Sequence, residues 1–319
     1  MYVSAAKCVG QKRSTLPDFP IRQEIKQDEC CITHEHIEEN IDSIYQKTRE
    51  RLLQQDQLVF SKEETLKLLD ELMQFEFGRF LLQNRGCNGY WTSYLILHSL
   101  QKESYNDLEK WMIYNWPVAL ATRERFNFFQ SEIQKRLCSG MQLASIPCGL
   151  MDDLLTLNLE DFHNISFDGI DLDEASLALA QENAQKHGVE SSCLFLKKNA
   201  WNLEIDSKYD LIVSNGLNMY ESNDEKIIEL YRNFYQALRP NGVLITSFFV
   251  PMSGSSDNIN SEDMRKQKAI FVDILQTRWQ TFRTEELTRS QLESVGFNVL
   301  EVKYDSQGIF PTIIAEKIK

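Results

Sequence analysis

The stretch FDGIDLDEASLALAQENAQKHGVESSCLFL, residues 167–196, decides the fold. It reads as a short apolar strand, then a helix that ends at His187-Gly188, and then a second apolar strand. Short apolar runs separated by helical stretches continue this alternation over the chain from Met141 onward. Such alternation predicts a parallel sheet that is covered by helices on both faces.

The last two apolar runs break the alternation. They are GFNVLEVKYD (296–305) and PTIIAEK (311–317), and only a short connection separates them. Paired strands that are so close in sequence need an antiparallel arrangement, because a parallel pair needs a long crossover. We therefore predict an α/β fold with a doubly wound, mostly parallel sheet of seven strands whose last strand is antiparallel.

The first part of the chain has a different hydrophobic periodicity. Residues 1–36 have no clear periodicity and are predicted to be a loose N-terminal arm, whereas residues 37–138 are predicted to be helical. One predicted helix opens at Ser61, where Glu64 completes a capping box, and its apolar spacing runs on through Gln83. Pro117 is a plausible first-turn residue of another helix. The predicted domains are thus the arm, a helical region over 37–138 and an α/β domain over 139–319.

Composition and charge exclude several classes of protein. Hydrophobic residues make up 42% and charged residues 25%, which is globular composition. Acidic residues outnumber basic ones by 47 to 34, so the formal net charge is −13. This charge disfavours a nucleic-acid partner or docking on anionic lipid. No apolar run has the length of a membrane span or a signal peptide, so we expect neither.

The seven cysteines favour a reduced, cytoplasmic setting, because their number is odd and their spacing irregular. The densest cluster, Cys30-Cys31 with His34 and His36, lacks the spacing of a zinc site. We predict no metal site and interpret that cluster as a polar segment ahead of a helix.

Polar residues stand where the predicted parallel strands end, which is where ligands bind in such sheets. Gly149 follows the first strand and permits close backbone approach, and the helix N-terminus after it favours anionic groups. Asp171 ends the second strand 22 residues later, the distance at which doubly wound folds place a carboxylate on ribose hydroxyls. Asn199 and Trp201 follow the third strand, and the polar run 214–218 follows the fourth.

Five motifs in this order resemble those of class I S-adenosylmethionine-dependent methyltransferases. They are LASIPCGLMDDLL (143–155), GIDLDEASLALAQENA (169–184), KYDLIVSNGL (208–217), ALRPNGVLITSFF (237–249) and SVGFNVLEV (294–302). The whole chain is also similar to bacterial methyltransferases with a helical N-terminal region that contains an Asn-Gly-Tyr-Trp element, here residues 88–91. The resemblance implies a Rossmann-like fold, S-adenosylmethionine as cofactor and methyl transfer, and it names no acceptor.

The resemblance also implies roles for individual residues. Asp171 would bind the ribose hydroxyls, the backbone of the loop after the first strand would approach the methionine part, the third-strand end would surround the adenine, and the fourth-strand end would face the transferring methyl group. The residues assigned to the cofactor in this way are Ser145, Pro147, Cys148, Gly149, Asp171, Leu172, Asn199, Ala200, Trp201, Asn215, Gly216 and Leu217. For Asn199 a simple turn is the alternative, and Cys148 is more often a core filler than a nucleophile.

The chain departs from the family pattern within the first loop. Ser145 stands where an acidic residue is common, and Pro147 and Met151 stand where the family usually has glycines. Asn199 replaces a usual aspartate. Either the loop takes a less common shape or cofactor binding has been lost. We favour the first because Asp171 and the polar fourth-strand end remain.

The helical region is predicted to be a lid and acceptor pocket over the strand ends, with a small molecule as acceptor. The predicted fourth strand ends in Asn-Gly-Leu-Asn. This sequence is unlike the motif of methyltransferases that act on planar amino groups, so O- or carboxyl-methylation is favoured. Arg123 and Arg125 are interpreted as a solvated helix face, with carboxylate binding as the alternative. Candidates for the pocket are Tyr90, Trp91, Asn218, Tyr220 and Phe249; Tyr90 and Tyr220 are also the candidate catalytic residues, and packing in the core is the alternative for Tyr90 and Trp91.

Two other functions stay open at this point. One is a nicotinamide-dependent oxidoreductase, although no G-x-G-x-x-G motif occurs. The other is a catalytically silent binding protein, which the substitutions at Pro147 and Met151 motivate. The sequence does not decide the oligomeric state.

Overall fold

The computed structural model describes residues 39–101, 106–250, 260–277 and 281–318. The predicted arm over residues 1–36 and the cluster from Cys30 to His36 lie outside the described residues. All described residues belong to one folded unit. The division into an arm, a lid and an α/β domain stays a prediction.

The described chain from Ile41 to Arg136 is helical. Ser61 and Glu64 form the expected capping box, in which the Glu64 N–H donates to Ser61 Oγ at 3.2 Å and the Ser61 N–H donates to Glu64 Oε2 at 3.0 Å. Pro117 occupies the first turn of the longest helix. The helices are α1 (Ile41–Gln54), α2 (Lys62–Leu72), α3 (Glu76–Asn84), α4 (Gly89–Ser93), α5 (Asp107–Tyr114) and α6 (Pro117–Arg136), and a π-helical turn at Tyr94–His98 follows α4.

The prediction of one helix from Ser61 through Gln83 is wrong, because the structure breaks it into α2 and α3. Phe75 is extended between them, with φ −128° and ψ 156°, and its side chain is buried. Gly78 lies against the end of α2 so closely that a Cβ at this position would stand 2.2 Å from the carbonyl oxygen of Leu72. Leucine spacing continues through both helices, so periodicity alone did not reveal the corner.

Within the described residues, seven strands form one sheet, which confirms the predicted Rossmann-like α/β class. Its order is β3-β2-β1-β4-β5-β7-β6, and β7 runs antiparallel to both of its neighbours. The strands are β1 (Gln142–Ser145), β2 (Ser166–Asp171), β3 (Cys193–Lys197), β4 (Tyr209–Ser214), β5 (Leu238–Ser247), β6 (Phe297–Lys303) and β7 (Thr312–Lys317).

Strand order reverses between β1 and β4, and this position determines where a ligand can bind. β1 pairs in parallel with β2 on one side and with β4 on the other. The loops that follow β1 and β4 therefore leave the same edge of the sheet side by side. A crevice at such a reversal is the ligand site of doubly wound folds.

Helices cover both faces of the sheet. Leu154, Ala180 and Phe129 pack on one face, and Leu230, Phe234 and Leu292 pack on the other. No helix among the described residues is both long and apolar enough to cross a membrane. The helices that accompany the strands are α7 (Asp152–Leu155), α8 (Glu174–Lys186), α9 (Asp224–Ala237), α10 (Ser261–Lys268) and α11 (Glu285–Val295).

Candidate functional site

The loop after β1 closes onto the end of β2. The Gly149 N–H donates to Asp171 Oδ2 at 3.1 Å, and the Cys148 N–H donates to the Ile170 carbonyl at 2.9 Å. Gly149 has φ +50°, a left-handed conformation that glycine adopts without a steric penalty. The 22-residue separation in sequence thus corresponds to a direct contact between the glycine and the carboxylate.

Asp171 is half-buried, and Leu172 after it is half-buried too. The second oxygen of the Asp171 carboxylate, Oδ1, accepts the Asp173 N–H at 3.1 Å. Burial raises the pKa of Asp171, and the hydrogen bonds from Asp173 and Gly149 act against that rise. Each carboxylate oxygen has a further lone pair, so Asp171 can still accept hydrogen bonds from two hydroxyl groups.

Met151 preserves a glycine-like backbone at a position where the resembled family usually has glycine. Its φ is +58° and its ψ +24°, a left-handed conformation that costs an ordinary residue roughly 1–2 kcal/mol. The side chain is fully buried, and a Cβ on Gly169 would stand 3.1 Å from its sulfur. Burial of a methionine stabilises by about 1.5–3 kcal/mol, which offsets the strain.

The expectation that a helix N-terminus after this loop favours anionic groups does not hold. Helix α7 is only four residues long, and Asp152 and Asp153 stand in its first turn. A single turn has a weak dipole, and the acidic side chain of Asp152 opposes the approach of an anion.

Ser145 and Asp153 form a buried pair at the end of β1. Ser145 Oγ lies 2.9 Å and 3.1 Å from the two oxygens of the Asp153 carboxyl group. Burial raises the pKa of Asp153 to about 7, although the hydrogen bond from Ser145 lowers it. The resembled family commonly has an acidic residue at the position of Ser145. Here Asp153 brings a carboxyl group to that place through its hydrogen bond with Ser145.

We expect the buried Asp153 to make the protein less stable as pH rises toward 7. Between the ordinary pKa near 3.8 and the raised value of about 7, the folded state holds a proton that the unfolded state has lost, so the free energy of unfolding falls with rising pH. Asp153→Asn removes this dependence. Relative to the wild type, the variant should gain about 2 kcal/mol of stability between pH 5.5 and pH 7.5, as measured by urea unfolding.

The matched control for this measurement is Asp161→Asn, since Asp161 is exposed. Its difference from the wild type should be the same at both pH values. A pH-independent difference for Asp153→Asn as well would contradict the prediction.

The loop after β3 is anchored to α9. Asn199 Oδ1 accepts the Trp201 N–H at 3.0 Å, which is the turn considered as the alternative for Asn199. The indole N–H of Trp201 donates to the Lys226 carbonyl at 2.9 Å, and Ala200 is buried. The amide nitrogen of Asn199 has no hydrogen-bond partner within the described chain, so an adenine role for this loop stays a proposal.

The loop after β4 presents amide oxygens without partners. Asn215 Oδ1 and Asn218 Oδ1 are enclosed, and neither accepts a hydrogen bond from any described residue. Asn218 Nδ2 donates to the hydroxyl of Tyr231 at 2.9 Å. Gly216 has φ +83°, and Leu217 begins a short 3₁₀ turn. Because buried acceptors are normally satisfied, the two oxygens are candidates for ligand contact.

The Asn-Gly-Tyr-Trp element contacts the loop after β1. Asn88 Oδ1 accepts the Trp91 N–H at 3.0 Å and so begins α4. A Cβ on Gly89 would stand 3.0 Å from the Cα of Gly149, so the two backbones touch. Part of the helical region thus lies directly on the candidate cofactor loop.

The two aromatic residues of this element have different environments. Trp91 is 8% exposed and stacks on Phe77 with 5.1 Å between ring centroids, inside the core of the helical region. This is the packing alternative that the sequence left open. Tyr90 is 38% exposed and meets Trp91 edge-on at 5.2 Å. Tyr90 is therefore the more accessible of the two.

An aromatic wall lies at the ends of β4 and β5. Phe249 is buried, with its ring centroid 4.3 Å from that of Phe282 and 5.4 Å from that of Phe310. Ala121 and Met219 belong to the same apolar cluster. The predicted pocket residue Phe249 is thus at the junction of the helical region and the sheet.

Tyr220 ends the short 3₁₀ turn that follows the fourth strand. Burial raises the pKa of its hydroxyl to about 12. At neutral pH the phenol is therefore un-ionised. Of the two catalytic roles open to it, general base and hydrogen-bonding residue that orients the acceptor, this favours the second. Burial likewise raises the pKa of the Cys148 thiol well above its ordinary value, which suits a core filler.

The interpretation of Arg123 and Arg125 as a solvated helix face is wrong. Arg125 is 8% exposed, and its guanidinium carbon lies 4.4 Å from the centre of the Phe310 ring. Arg123 donates to the carbonyls of Leu95 and Ile113 at 2.8 Å and 2.6 Å. The long apolar stem of an arginine allows the side chain to be buried. Whether a given arginine is buried cannot be deduced from its charge alone.

Sequence reasoning missed Arg283, which holds the loop after β4 in place. It is buried and donates to the carbonyls of Asn218 and Glu221, both at 2.7 Å, and to Asp224 at 3.0 Å. The backbone N–H of Arg283 also donates to the Phe249 carbonyl at 2.8 Å. The segment FRTEEL that contains it has no motif that would have revealed this role.

The residues at the strand-order reversal fit the predicted S-adenosylmethionine. Two glycines of positive φ, Gly149 and Gly216, keep the edge free of side chains. Asp171 can accept hydrogen bonds from ribose hydroxyls, and the unpartnered oxygen of Asn215 can accept one from an ammonium group. Among the described residues, no group of three or more His, Cys, Asp or Glu side chains suits a metal ion. This geometry defines a Rossmann-like domain of the nucleoside-binding class.

Comparisons with known proteins agree with this class. A protein family described as a methyltransferase domain matches residues 138–287. A solved structure of a possible exported protein from Bordetella parapertussis is 36% identical, with a TM-score of 0.83, over 88% of this chain and 96% of that one. Residues 138–287 therefore match a methyltransferase domain, and the cofactor of this domain is S-adenosylmethionine.

More distant relatives extend over parts of the chain. A ribosomal protein L11 methyltransferase from Dictyoglomus thermophilum is 29% identical over 44% of this chain and 46% of that protein. An uncharacterized protein from Haemophilus influenzae is 31% identical over 31% of this chain and 39% of that protein. The chain thus spans less than half the length of these curated relatives. Magnesium protoporphyrin IX methyltransferase from Synechocystis shares the fold at 14% identity and a TM-score of 0.51.

Proposed function

We propose that this chain transfers a methyl group from S-adenosylmethionine to an oxygen atom of a small-molecule acceptor. The observation that carries the proposal is the direct contact at the strand-order reversal between Asp171 and the Gly149 backbone, at 3.1 Å. A half-buried carboxylate that orders the first loop and keeps lone pairs is suited to a ribose. The cytoplasmic location stays a prediction.

The residues of the chain have mainly to position the two reactants. When bound, S-adenosylmethionine would supply a methyl group that its sulfonium activates for transfer to the acceptor oxygen. Asp171 would hold the ribose, and Asn215 would accept a hydrogen bond at the methionine end. Correct positioning contributes up to roughly 7–11 kcal/mol to catalysis.

The acceptor pocket is proposed at the junction between the helical region and the ends of β4 and β5. The buried rings of Phe249 and Phe310 provide an apolar surface there for the apolar part of the acceptor. Tyr220 donates a hydrogen bond to the acceptor. The partly exposed Tyr90, in α4, lines the pocket from the helical region. A carboxylate acceptor needs no general base, which agrees with a phenol that stays protonated.

The test is calorimetric titration of the full chain with S-adenosylmethionine, S-adenosylhomocysteine and NAD⁺. We expect binding of both adenosyl compounds and none of NAD⁺. No heat and no thermal shift at millimolar S-adenosylhomocysteine would favour a silent binding protein. Binding of NAD⁺ alone would favour an oxidoreductase.

A further inference from the structure

Arg125, in the middle of α6, is a buried cation that has no hydrogen-bond or salt-bridge partner among the described residues. It is 8% exposed, its Nε is enclosed without an acceptor, and no hydrogen bond or salt bridge joins its guanidinium to any described residue. Burial lowers its pKa only to about 10, so the group is charged at neutral pH. An enclosed unpaired charge costs several kcal/mol, and its retention therefore needs an explanation.

The neighbours of Arg125 compensate for this charge only in part. The face of the Phe310 ring, 4.4 Å away, provides a cation–π contact of at most about 2 kcal/mol. Asp305 attracts the charge but is farther than salt-bridge distance, and its carboxylate already accepts the N–H groups of Gln307, Ile309 and Phe310. Tyr220 is the other group that faces the guanidinium electrostatically, and it is un-ionised.

Arg123, two residues earlier on the same helix, shows what a structural arginine looks like here. All of its guanidinium nitrogens donate, to the Leu95 carbonyl at 2.8 Å, the Ile113 carbonyl at 2.6 Å and Ser99 Oγ at 2.9 Å. Arg125 makes no such bonds to the residues that the structure describes, and it lies instead beside the proposed acceptor pocket. The contrast indicates that the donors of Arg125 are kept for a ligand.

We propose that Arg125 recognises the acceptor and that this acceptor is a carboxylic acid with an apolar body. A guanidinium offers two parallel donors that match the two oxygens of a carboxylate. The Phe310 ring next to it, and the Phe249 ring that packs on Phe310, suit an aromatic or aliphatic body rather than a polar one. This inference rests on the proposed function and specifies its acceptor.

The test uses calorimetric titration of the full chain saturated with S-adenosylhomocysteine. The probes are benzoate, octanoate, their primary amides and phenyl phosphate. We expect at least one of the acids to bind, at least tenfold more tightly than its amide, and Arg125→Met to abolish this preference. Arg125→Lys keeps the charge but loses the planar fork, so it should retain a reduced preference.

Arg123→Met is the matched control. It should lower the melting temperature, because three hydrogen bonds are lost, and leave the preference for acids unchanged. Arg125→Met should keep or raise the melting temperature, because an unpaired buried charge is removed. A melting temperature that falls as far in Arg125→Met as in Arg123→Met would show a structural role and overturn the proposal.

The other possible results of the titrations also test the proposal. Absence of binding by both acids, or equal affinity for acid and amide, overturns the carboxylate assignment, and so does a preference for phenyl phosphate over both acids. Failure of the wild type to bind S-adenosylhomocysteine at all is failure of the proposed function. Binding of S-adenosylhomocysteine without any preference for acids is failure of this inference alone.

Discussion

Replacing Asp171 with alanine is expected to weaken the binding of S-adenosylhomocysteine at least tenfold, which is about 1.4 kcal/mol. The substitution removes two acceptors for ribose hydroxyls, and a hydrogen bond to a charged group contributes about 1.5–3 kcal/mol. It also frees the Gly149 N–H from its bond of 3.1 Å to the carboxylate, so the first loop loses its anchor. Isothermal titration of both proteins measures the change.

Asp173→Ala is the matched control for Asp171→Ala. Asp173 is exposed and begins α8, where its carboxylate accepts the N–H groups of Ala175 and Ser176. Loss of this cap should cost about 1 kcal/mol of stability and leave the affinity for S-adenosylhomocysteine unchanged. An unchanged dissociation constant in Asp171→Ala, or an equal loss in both variants, would rule out the ribose role.

The sheet could be predicted from sequence because its local signals agree with its global arrangement. The strand–helix–strand segment over 167–196 and the His187-Gly188 stop appear in the structure as β2, α8 and β3. The short connection between the last two apolar runs gave the antiparallel direction of β7. The insertion of β7 between β5 and β6 has no local signal, because strand order depends on packing across the whole sheet.

The candidate site could be predicted from sequence only where residue type and spacing themselves indicate a ligand. Asp171 and Gly149 were found from their spacing, and the structure joins them by a hydrogen bond. Arg283 was missed, and for Arg125 ligand binding was only the alternative to a solvated helix face, because arginines also stand at solvated positions and only tertiary packing separates the two cases. The buried Ser145–Asp153 pair was missed for the same reason, since its partners meet only when the first loop folds back.

The corner between α2 and α3 should be the most sensitive point of the helical region. We expect Gly78→Ala to lower the free energy of unfolding by about 4 kcal/mol, at the upper end of what single substitutions do. The added Cβ would stand 2.2 Å from the carbonyl oxygen and 2.9 Å from the carbonyl carbon of Leu72, and these backbone atoms cannot rotate away. Either the two helices must separate or the hydrogen bonds of α2 must distort.

Gly86→Ala is the matched control for this corner, since a Cβ on Gly86 would meet nothing within 4 Å. The same substitution eight residues later should change stability by no more than about 1 kcal/mol, in either direction. Urea unfolding of the two variants separates loss of space from loss of glycine flexibility. Equal stabilities would mean that α3 does not lie against the end of α2, and that the leucine spacing from Ser61 through Gln83 describes one helix after all.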